Sequence, residues 1–401
     1  MIELEQAQAR LDARLKTKEK KVCCTIDQAV GCLLAEDVYA PISVPQFCRS
    51  GMDGYAVFSA DCQTASKDAP VRLPVVDEVL AGDNRLLTGK PGTAVRIMTG
   101  APIPAGYDCV VCQEQTDYGK DTVSIFRPIR KGKNYAMIGE DIKKNDRLLA
   151  ARTCITPPML GILASAGIQQ VPVIEPLKVA IIATGSELAE LGKPLSYGQI
   201  YNSNSYTIAS YVRSIGGDVV LQTTCGDDAD QFVNMLHSII TKVDLVFTTG
   251  GVSVGKKDFL PATLEKIGAE RLFHKINAKP GTPILASVYK NVPVLSLSGN
   301  PFASLVNFHL FFWNTAARLM GNPGFSLKRK QLTVTSGQMA ETNIRRFIRA
   351  YKTDNGVEIY TKVHQSSVFS NLASSNCVID QPVKHPITVG DKVDVYYWQD
   401  V

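Results

Sequence analysis

The residues able to do chemistry in this chain sit in small polar loops, each following an apolar run. Thr184-Gly185-Ser186-Glu187 follows L-K-V-A-I-I-A, and Gly226-Asp227-Asp228 follows D-V-V-L-Q-T-T. The stretch T-T-G-G-V-S-V-G-K-K-D (248–258) follows V-D-L-V-F, and Ser298-Gly299-Asn300-Pro301 follows V-P-V-L-S-L. One such loop means a tight turn. Four on one edge of a parallel sheet make a binding cleft, because ligands of open α/β sheets sit beyond the carboxyl ends of the strands. Glycines 250 and 251, with Ser253 beside them, let backbone N–H groups approach an oxyanion closely.

The 248–258 stretch approaches a nucleotide phosphate loop without becoming one. Lys256 is followed by Lys257, so the hydroxyl that would hold Mg²⁺ is missing. Two jobs fit Asp258: capping the next helix, or, beside Glu187 and Asp227, holding a metal or substrate. Lys275 and Lys279 lie in H-K-I-N-A-K-P-G-T-P. They are either two solvated lysines or an anion clamp built from compact point charges. A second dense spot is Arg49-Ser50-Gly51-Met52-Asp53-Gly54-Tyr55-Ala56, and a third is Arg96 to Pro104 (R-I-M-T-G-A-P-I-P). From spacing alone both read as plain turns.

The elements that must position these residues can be read from periodicity. Residues 1–40 look helical, with Leu4, Ala7, Leu11 and Leu15 at helical spacing and a second apolar-periodic segment at Ile26 to Leu34. Residues 41–145 are rich in Pro, Gly and short Val/Ile runs, which predicts a β-rich domain. T-P-P-M-L-G-I-L-A-S-A-G predicts a helix opened by proline and closed by glycine. Residues 176–320 alternate strand and helix, which predicts a mostly parallel sheet covered by helices on both faces. Predicted helices there are Asn204 to Ile215 capped by Asn204, Asp228 to Ile240, Phe259 to Ile267 and Pro301 to Met320. Beyond residue 325 strands return, with a hairpin signal at Asp354-Asn355-Gly356 and a terminal strand K-V-D-V-Y-Y-W. The expected division is a discontinuous helical part (1–43 and 146–175), a β-rich domain (44–145), an α/β domain (176–324) and a C-terminal β domain (325–401).

Composition bounds the rest. With 401 residues and 45% apolar residues, the chain has enough material for a large core in two or three domains. A net charge of +5 with both signs mixed gives no strong field for nucleic acid or membrane. The N-terminus is charged, without an apolar signal core, and no apolar run reaches membrane-span length. Ten scattered cysteines in a chain this long point to a reducing cytoplasm, not a disulfide framework. Cys109-Val-Val-Cys112 has no second C-x-x-C or spaced histidine pair to complete a zinc site.

S-G-M-D-G-Y-A, R-I-M-T-G-A-P-I-P-A-G, T-G-S-E-L, T-T-G-G-V-S-V-G-K-K-D, K-P-G-T-P and S-G-N-P-F-A-S occur in this order along the chain. Together they resemble the molybdopterin molybdenumtransferase family, the MoeA type, to which the E domain of gephyrin also belongs. The resemblance spans essentially the whole chain. It implies a four-part subunit whose α/β part is similar to the Mog-type pterin-binding fold and whose C-terminal part is β-barrel-like. The implied reaction inserts molybdenum from molybdate into adenylylated molybdopterin and releases AMP, with a divalent cation, usually Mg²⁺.

Matched residue by residue, the resemblance implies Asp53, Glu187, Asp227 and Asp258 as catalytic acids, the last three also as metal ligands. Thr99, Asp141, Gly250, Gly251, Ser253, Lys275, Lys279, Ser298 and Asn300 become substrate-binding positions, with a looser match at Arg349 and Ser366. It further implies a homodimer that shares its active sites, a separate Mog-type adenylyltransferase acting upstream, and molybdoenzymes or cofactor carriers downstream. Two positions depart from the pattern: Ser186 stands where an acid is common, and Thr282 where a second lysine is common. One charge of each sign is lost. An adenylyltransferase and a gephyrin-like scaffold are the competing readings; the additional domains argue against the first, and the retained acids and lysines against the second.

Overall fold

The computed structural model describes residues 1–252, 258–360 and 364–398. Helix α1 (Leu4–Asp12) buries Leu4, Ala7 and Leu11 as their spacing predicts, and Leu15 is buried just beyond its end. The segment from Ile26 to Leu34 is not the second helix expected. Ile26–Gln28 makes a single 3-10 turn, Gly31 adopts φ +81°, and Leu34 forms an extended bridge to Val173. Leu33 and Leu34 are buried in extended backbone, so their spacing matched a helical face by coincidence.

Chain contacts divide the protein into two compact units. One contains Cys23–Val30 and Glu36–Pro172. The other contains Met1–Val22, Gly31–Ala35 and everything from Val173 onward.

The first of these units contains the segment 44–145 expected to be β-rich, together with residues 23–30, 36–43 and 146–172, which the sequence assigns to the discontinuous helical part. Its sheet holds β1 (Gly54–Val57), β2 (Val71–Val79), β3 (Ala94–Ile97), β4 (Cys109–Cys112) and β5 (Thr122–Ile125), in the order β4-β1-β3-β2-β5. Successive residues of a strand point to opposite faces. Tyr55 and Val57 accordingly enter one apolar cluster with Cys109 and Val111, while Ala56 and Val110 enter another. Gly54 is required by close strand approach, since a Cβ there would lie 1.9 Å from the Val111 carbonyl oxygen. Helix α2 (Pro157–Ser165) carries the predicted prolines in its first turn, and Gly167 follows at φ +77°.

The other unit opens with a mixed sheet. Its strands are β6 (Lys178–Thr184), β7 (Asp218–Cys225), β8 (Leu245–Thr249), β9 (Glu270–His274), β10 (Leu285–Tyr289) and β11 (Val292–Leu297), ordered β7-β6-β8-β11-β10-β9. The β7, β6, β8 and β11 neighbours pair in parallel, and β10 and β9 complete the sheet antiparallel. Helices α3 (Asn204–Ser214), α4 (Ala229–Ile239), α5 (Leu260–Lys266) and α6 (Pro301–Met320) connect and cover it. Ala180, Ile182, Val246 and Val294 pack with Phe232 and Leu236 of α4 and Leu260 and Leu264 of α5. Phe247, adjacent to Val246, instead meets Phe308 of α6 at 5.3 Å between ring centroids. Alternation along the strands thus puts helices on both faces.

Strands β12 (Arg329–Ser336), β13 (Arg345–Thr353), β14 (Gly356–Ile359), β15 (Cys377–Gln381) and β16 (Lys392–Tyr397) follow. They pair in a closed ring, β13-β14-β12-β16-β15 and back to β13, which makes the C-terminal part a five-stranded barrel. The predicted hairpin joins β13 to β14, with Thr353 opposite Gly356. A two-residue strand, Ala278–Lys279, pairs in parallel with Arg345–Arg346 at the edge of β13. The barrel is thereby stitched to the α/β sheet through the segment that carries Lys279.

Candidate active site

Strand order in the α/β sheet reverses between β6 and β8: β7 lies beyond β6, and β11 beyond β8. A reversal of this kind opens a crevice between neighbouring strand ends. A cleft of about 550 Å³ lies there, and all four polar loops line it: Thr184, Gly185 and Glu187 after β6, Asp227 after β7, Gly250, Gly251 and Asp258 after β8, and Ser298, Gly299 and Asn300 after β11. Ser253 falls outside the described residues.

The loop glycines have a packing reason as well as an approach reason. Gly250 has φ +89°, and a Cβ on it would sit 2.3 Å from the Thr184 carbonyl oxygen. Gly251 has φ +66°, and its Cβ would press on Thr184 Oγ1 and Leu260. Thr184 Oγ1 in turn donates to the Thr249 carbonyl at 3.2 Å, closing the ends of β6 and β8 together. Leu260 opens α5, with Phe259 at the cap position and Asp258 one residue earlier, so Asp258 is not the cap residue. Asp228 does cap its helix, accepting from the N–H groups of Asp230 and Gln231. That leaves its neighbour Asp227 turned to the cleft, where Ser186 Oγ donates to Asp227 Oδ2 at 2.8 Å. The predicted cap at Asn204 is shifted: Ser203 occupies the cap position, and the Asn204 side chain donates to the Gly299 carbonyl at 2.8 Å. Asn204 therefore braces the β11 loop from α3, a role that its place beside a helix start did not reveal.

A second cleft, about 450 Å³, shares Pro283, Ser298 and Asn300 with the first. Lys279, Arg346, His364 and Ser366 line it. Asn300 Nδ2 reaches Ser366 Oγ at 3.3 Å, linking the α/β loop to the barrel segment. Arg346 and His364 were missed by the sequence reading; Arg346 enters only through its pairing with Lys279, which no local pattern announces. Burial, with Arg349 and Arg346 nearby, holds the His364 imidazole below its usual pKa, so the ring is neutral at pH 7. Neither of the expected binding residues Lys275 and Arg349 lines either cleft. Lys275 is half-buried at φ +70°, with its N–H bonded to the Ile284 carbonyl. Arg349 is completely buried.

In the β-rich unit, antiparallel register sets Gly54 opposite Ile97 and so brings the residue before β1 beside the turn after β3. Asp53 Oδ1 accepts from both the N–H and the Oγ1 of Thr99, each at 2.7 Å. These bonds, the backbone one first, hold the Asp53 carboxyl below the usual range and keep it ionised. Asp141 is exposed, its own N–H bonded to the Val44 carbonyl. Exposed Met52, Phe47, Met137 and Ile138 belong to the same unit.

A switch-point cleft rimmed by carboxylates, sharing residues with a cleft that holds Lys279 and Arg346, defines an α/β protein with a polar, charged cleft at the carboxyl ends of its strands. Residues 2–167 match the MoeA N-terminal region (domain I and II), and residues 180–318 match a probable molybdopterin binding domain. The molybdopterin molybdenumtransferase 2 of Mycobacterium tuberculosis is 36% identical, with 94% of this chain and 95% of that one aligned. The molybdopterin molybdenumtransferase of Haemophilus influenzae is 34% identical over 98% of both chains. Among solved structures, the MoeA molybdopterin biosynthesis protein of Pyrococcus horikosii superposes with a TM-score of 0.87 at 27% identity, over all of both chains. The chain belongs to the MoeA family of molybdopterin molybdenumtransferases, transferases of molybdenum cofactor biosynthesis.

Proposed function

We propose that the protein inserts molybdenum from molybdate into adenylylated molybdopterin and releases AMP. The observation that carries this reading is the continuity of the two clefts through Pro283, Ser298 and Asn300. All three ligands are anions, and Lys279 and Arg346 supply fixed positive charge on one side of the seam. On the other side, Glu187, Asp227 and Asp258 can accept from the N–H groups of a pterin, or hold the proton of an attacking oxygen. Ser298 and the Gly299 backbone lie at the junction, where the dithiolene and the transferring oxyanion would meet.

The expected Mg²⁺ fits this chain only in part. Among the described residues no three His, Cys, Asp or Glu side chains converge as a metal cage. Mg²⁺ commonly binds through one or two carboxylates plus substrate phosphates. A cation would therefore take its remaining ligands from the substrate's phosphoryl oxygens and water, and would not be resident in the free protein.

The homodimer implied by the resemblance is part of the proposal. The Asp53–Thr99 pair of one subunit would close over the α/β cleft of its partner, which would account for the exposed Met52 and Phe47 beside an ionised acid. A cytoplasmic setting accords with ten free cysteine thiols and with no helix, among the described residues, long and apolar enough to cross a membrane. The upstream adenylyltransferase would be a separate chain. The direct test supplies purified protein with adenylylated molybdopterin, molybdate and Mg²⁺ and measures active cofactor and AMP. Efficient formation of the adenylylated intermediate from molybdopterin and ATP would establish the adenylyltransferase reading instead.

A further inference from the structure

We propose that Asn307 is a positioning residue for the seam between the two clefts: from inside α6 its carboxamide holds the K-P-G-T-P turn, and with it the places of Lys279 and Pro283. This inference rests on the reading of the two clefts as the substrate site. Asn307 itself lines neither cleft. A polar amide is out of place in the helical run P-F-A-S-L-V-N-F-H-L-F-F-W. Asparagine is a poor residue for a helix interior, and a buried amide costs free energy unless it is bonded. Asn307 is nonetheless completely buried. Its Nδ2 donates to the Pro283 carbonyl at 3.0 Å. That bond fixes which end of the amide is which, since a carbonyl oxygen can only accept. Oδ1 faces Gly281 and has no hydrogen-bond partner among the described residues. Gly281 has φ +103°, and a Cβ on it would lie 2.2 Å from Oδ1. One side chain thus meets the turn twice, by a hydrogen bond at Pro283 and by close contact at Gly281.

Packing alone does not favour this arrangement. A leucine of similar size would fill the space without leaving a buried oxygen unpaired. Local rules are broken in this way where a site constrains the residue. The residues held are those of the seam. Pro283 lines both clefts, and Lys279, Gly281 and Thr282 line the one with Arg346. The start of the turn is fastened separately: Ala278–Lys279 pairs with Arg345–Arg346, and Thr282 Oγ1 donates to the Ala278 carbonyl. Asn307 fastens its end to α6. Asn300 occupies the cap position of the same helix and lines both clefts too. One rigid helix therefore sets the spacing between two residues of the seam, Asn300 and Pro283.

The test compares Asn307→Leu with wild type and with Thr315→Val, a buried polar site farther along α6. In Asn307→Leu the amides of Gly281, Thr282 and Ile284 should exchange about fivefold faster. The KM for molybdate should rise about tenfold with kcat within about threefold, the pattern of lost uniform binding. Thr315→Val should change neither. Wild-type exchange and KM in Asn307→Leu would overturn the proposal, and so would a lowered melting temperature with KM unchanged. An equal rise of KM in Thr315→Val would show general loosening of α6 and would overturn it as well. Should Asn307→Leu fail to fold, Asn307→Ser decides by the same readouts, since its side chain is too short to reach Pro283. Gly281→Ala adds the methyl group that Oδ1 excludes. Its effect on KM should be about threefold smaller in the Asn307→Ser background than in wild type. Equal effects in both backgrounds would show that the carboxamide does not shape the turn. Wild-type protein that fails to bind molybdate in calorimetry would count against the two-cleft reading, and the exchange rates would still decide whether Asn307 holds the turn.

Discussion

At the scale of single residues, the cleft depends on groups that neighbours hold in place. Asp258 and Lys279 lie on different clefts of the seam, one acid and one cation. Asp258→Ala and Lys279→Ala should each lower turnover at least tenfold, about 1.4 kcal/mol of barrier. Melting curves of the Asp258 variant separate the catalytic claim from a structural one; activity lost in step with melting would remove the catalytic claim. Gly250 makes a different prediction. Its positive φ and its contact with the Thr184 carbonyl leave no room for a methyl group. Gly250→Ala should cost roughly 1–3 kcal/mol of stability, seen as a lower urea midpoint, and should distort the cleft. An unchanged midpoint would show that the loop relaxes freely. The sequence showed these glycines as a means of approach to an anion. It could not show that Thr184, 66 positions earlier, dictates the first of them, because that contact comes from parallel pairing of β6 and β8.

Among elements, those with strong periodicity were legible and those ruled by long-range pairing were not. The strands β6, β8 and β11 read as apolar runs because both their faces are covered, and α6 reads as a helix because seventeen of its residues are buried. Ile26–Leu34 misled for the same reason: burial makes residues apolar in extended backbone as well as in helices. The β9 and β10 strands were not resolved, and the barrel was expected from the family resemblance alone, since antiparallel ring closure between β13 and β15 leaves no local mark. One polar network fastens an element that periodicity leaves unexplained. Lys18 and Lys20, beyond α1, and Lys178, at the start of β6, surround Glu175, and Lys18 also reaches Asp244 before β8. The bonds from Lys178, then Lys20 and Lys18, pull the Glu175 pKa to about 2 from an ordinary 4.5. A depressed carboxyl pKa adds stability above the unfolded value that is lost as pH falls through the folded one. Glu175→Gln should thus be destabilised at pH 7 by up to about 3 kcal/mol. The gap in urea midpoint between variant and wild type should hold to about pH 5 and shrink as pH drops toward 2. A gap independent of pH down to 3 would show that size and packing, not charge, set the effect.

At the scale of the whole molecule, the acids proposed for one reaction are split between the two compact units: Asp53 with Thr99 in the β-rich unit, and Glu187, Asp227 and Asp258 in the other. The cation prediction belongs here, because no single chain gathers a metal cage among its described residues. Mn²⁺ titrated into the protein alone should bind only at millimolar levels by electron paramagnetic resonance, and AMP should tighten it at least tenfold, as for an ion that shares its ligands with phosphate. Tight binding to the free protein would mean that a resident site forms on assembly. Assembly itself is tested by mixing variants. Asp53→Ala and Asp258→Ala homodimers should each be nearly inactive. If two subunits share each site about a two-fold axis, a heterodimer of the two carries one cleft with both acids and one with neither. Random exchange makes half of all dimers heterodimers, each with one working site of two, so activity should recover to about a quarter of wild type. Subunit exchange must be followed independently, for instance by mass tags on the two variants. Proven exchange with no recovery would place the working acids within one chain, and Asp53 would then have to reach the carboxylate cleft of its own subunit. An Asp53→Ala homodimer that keeps its activity would mean that Asp53 is dispensable, and the Asp53–Thr99 pair would revert to the tight structural turn that its spacing alone describes.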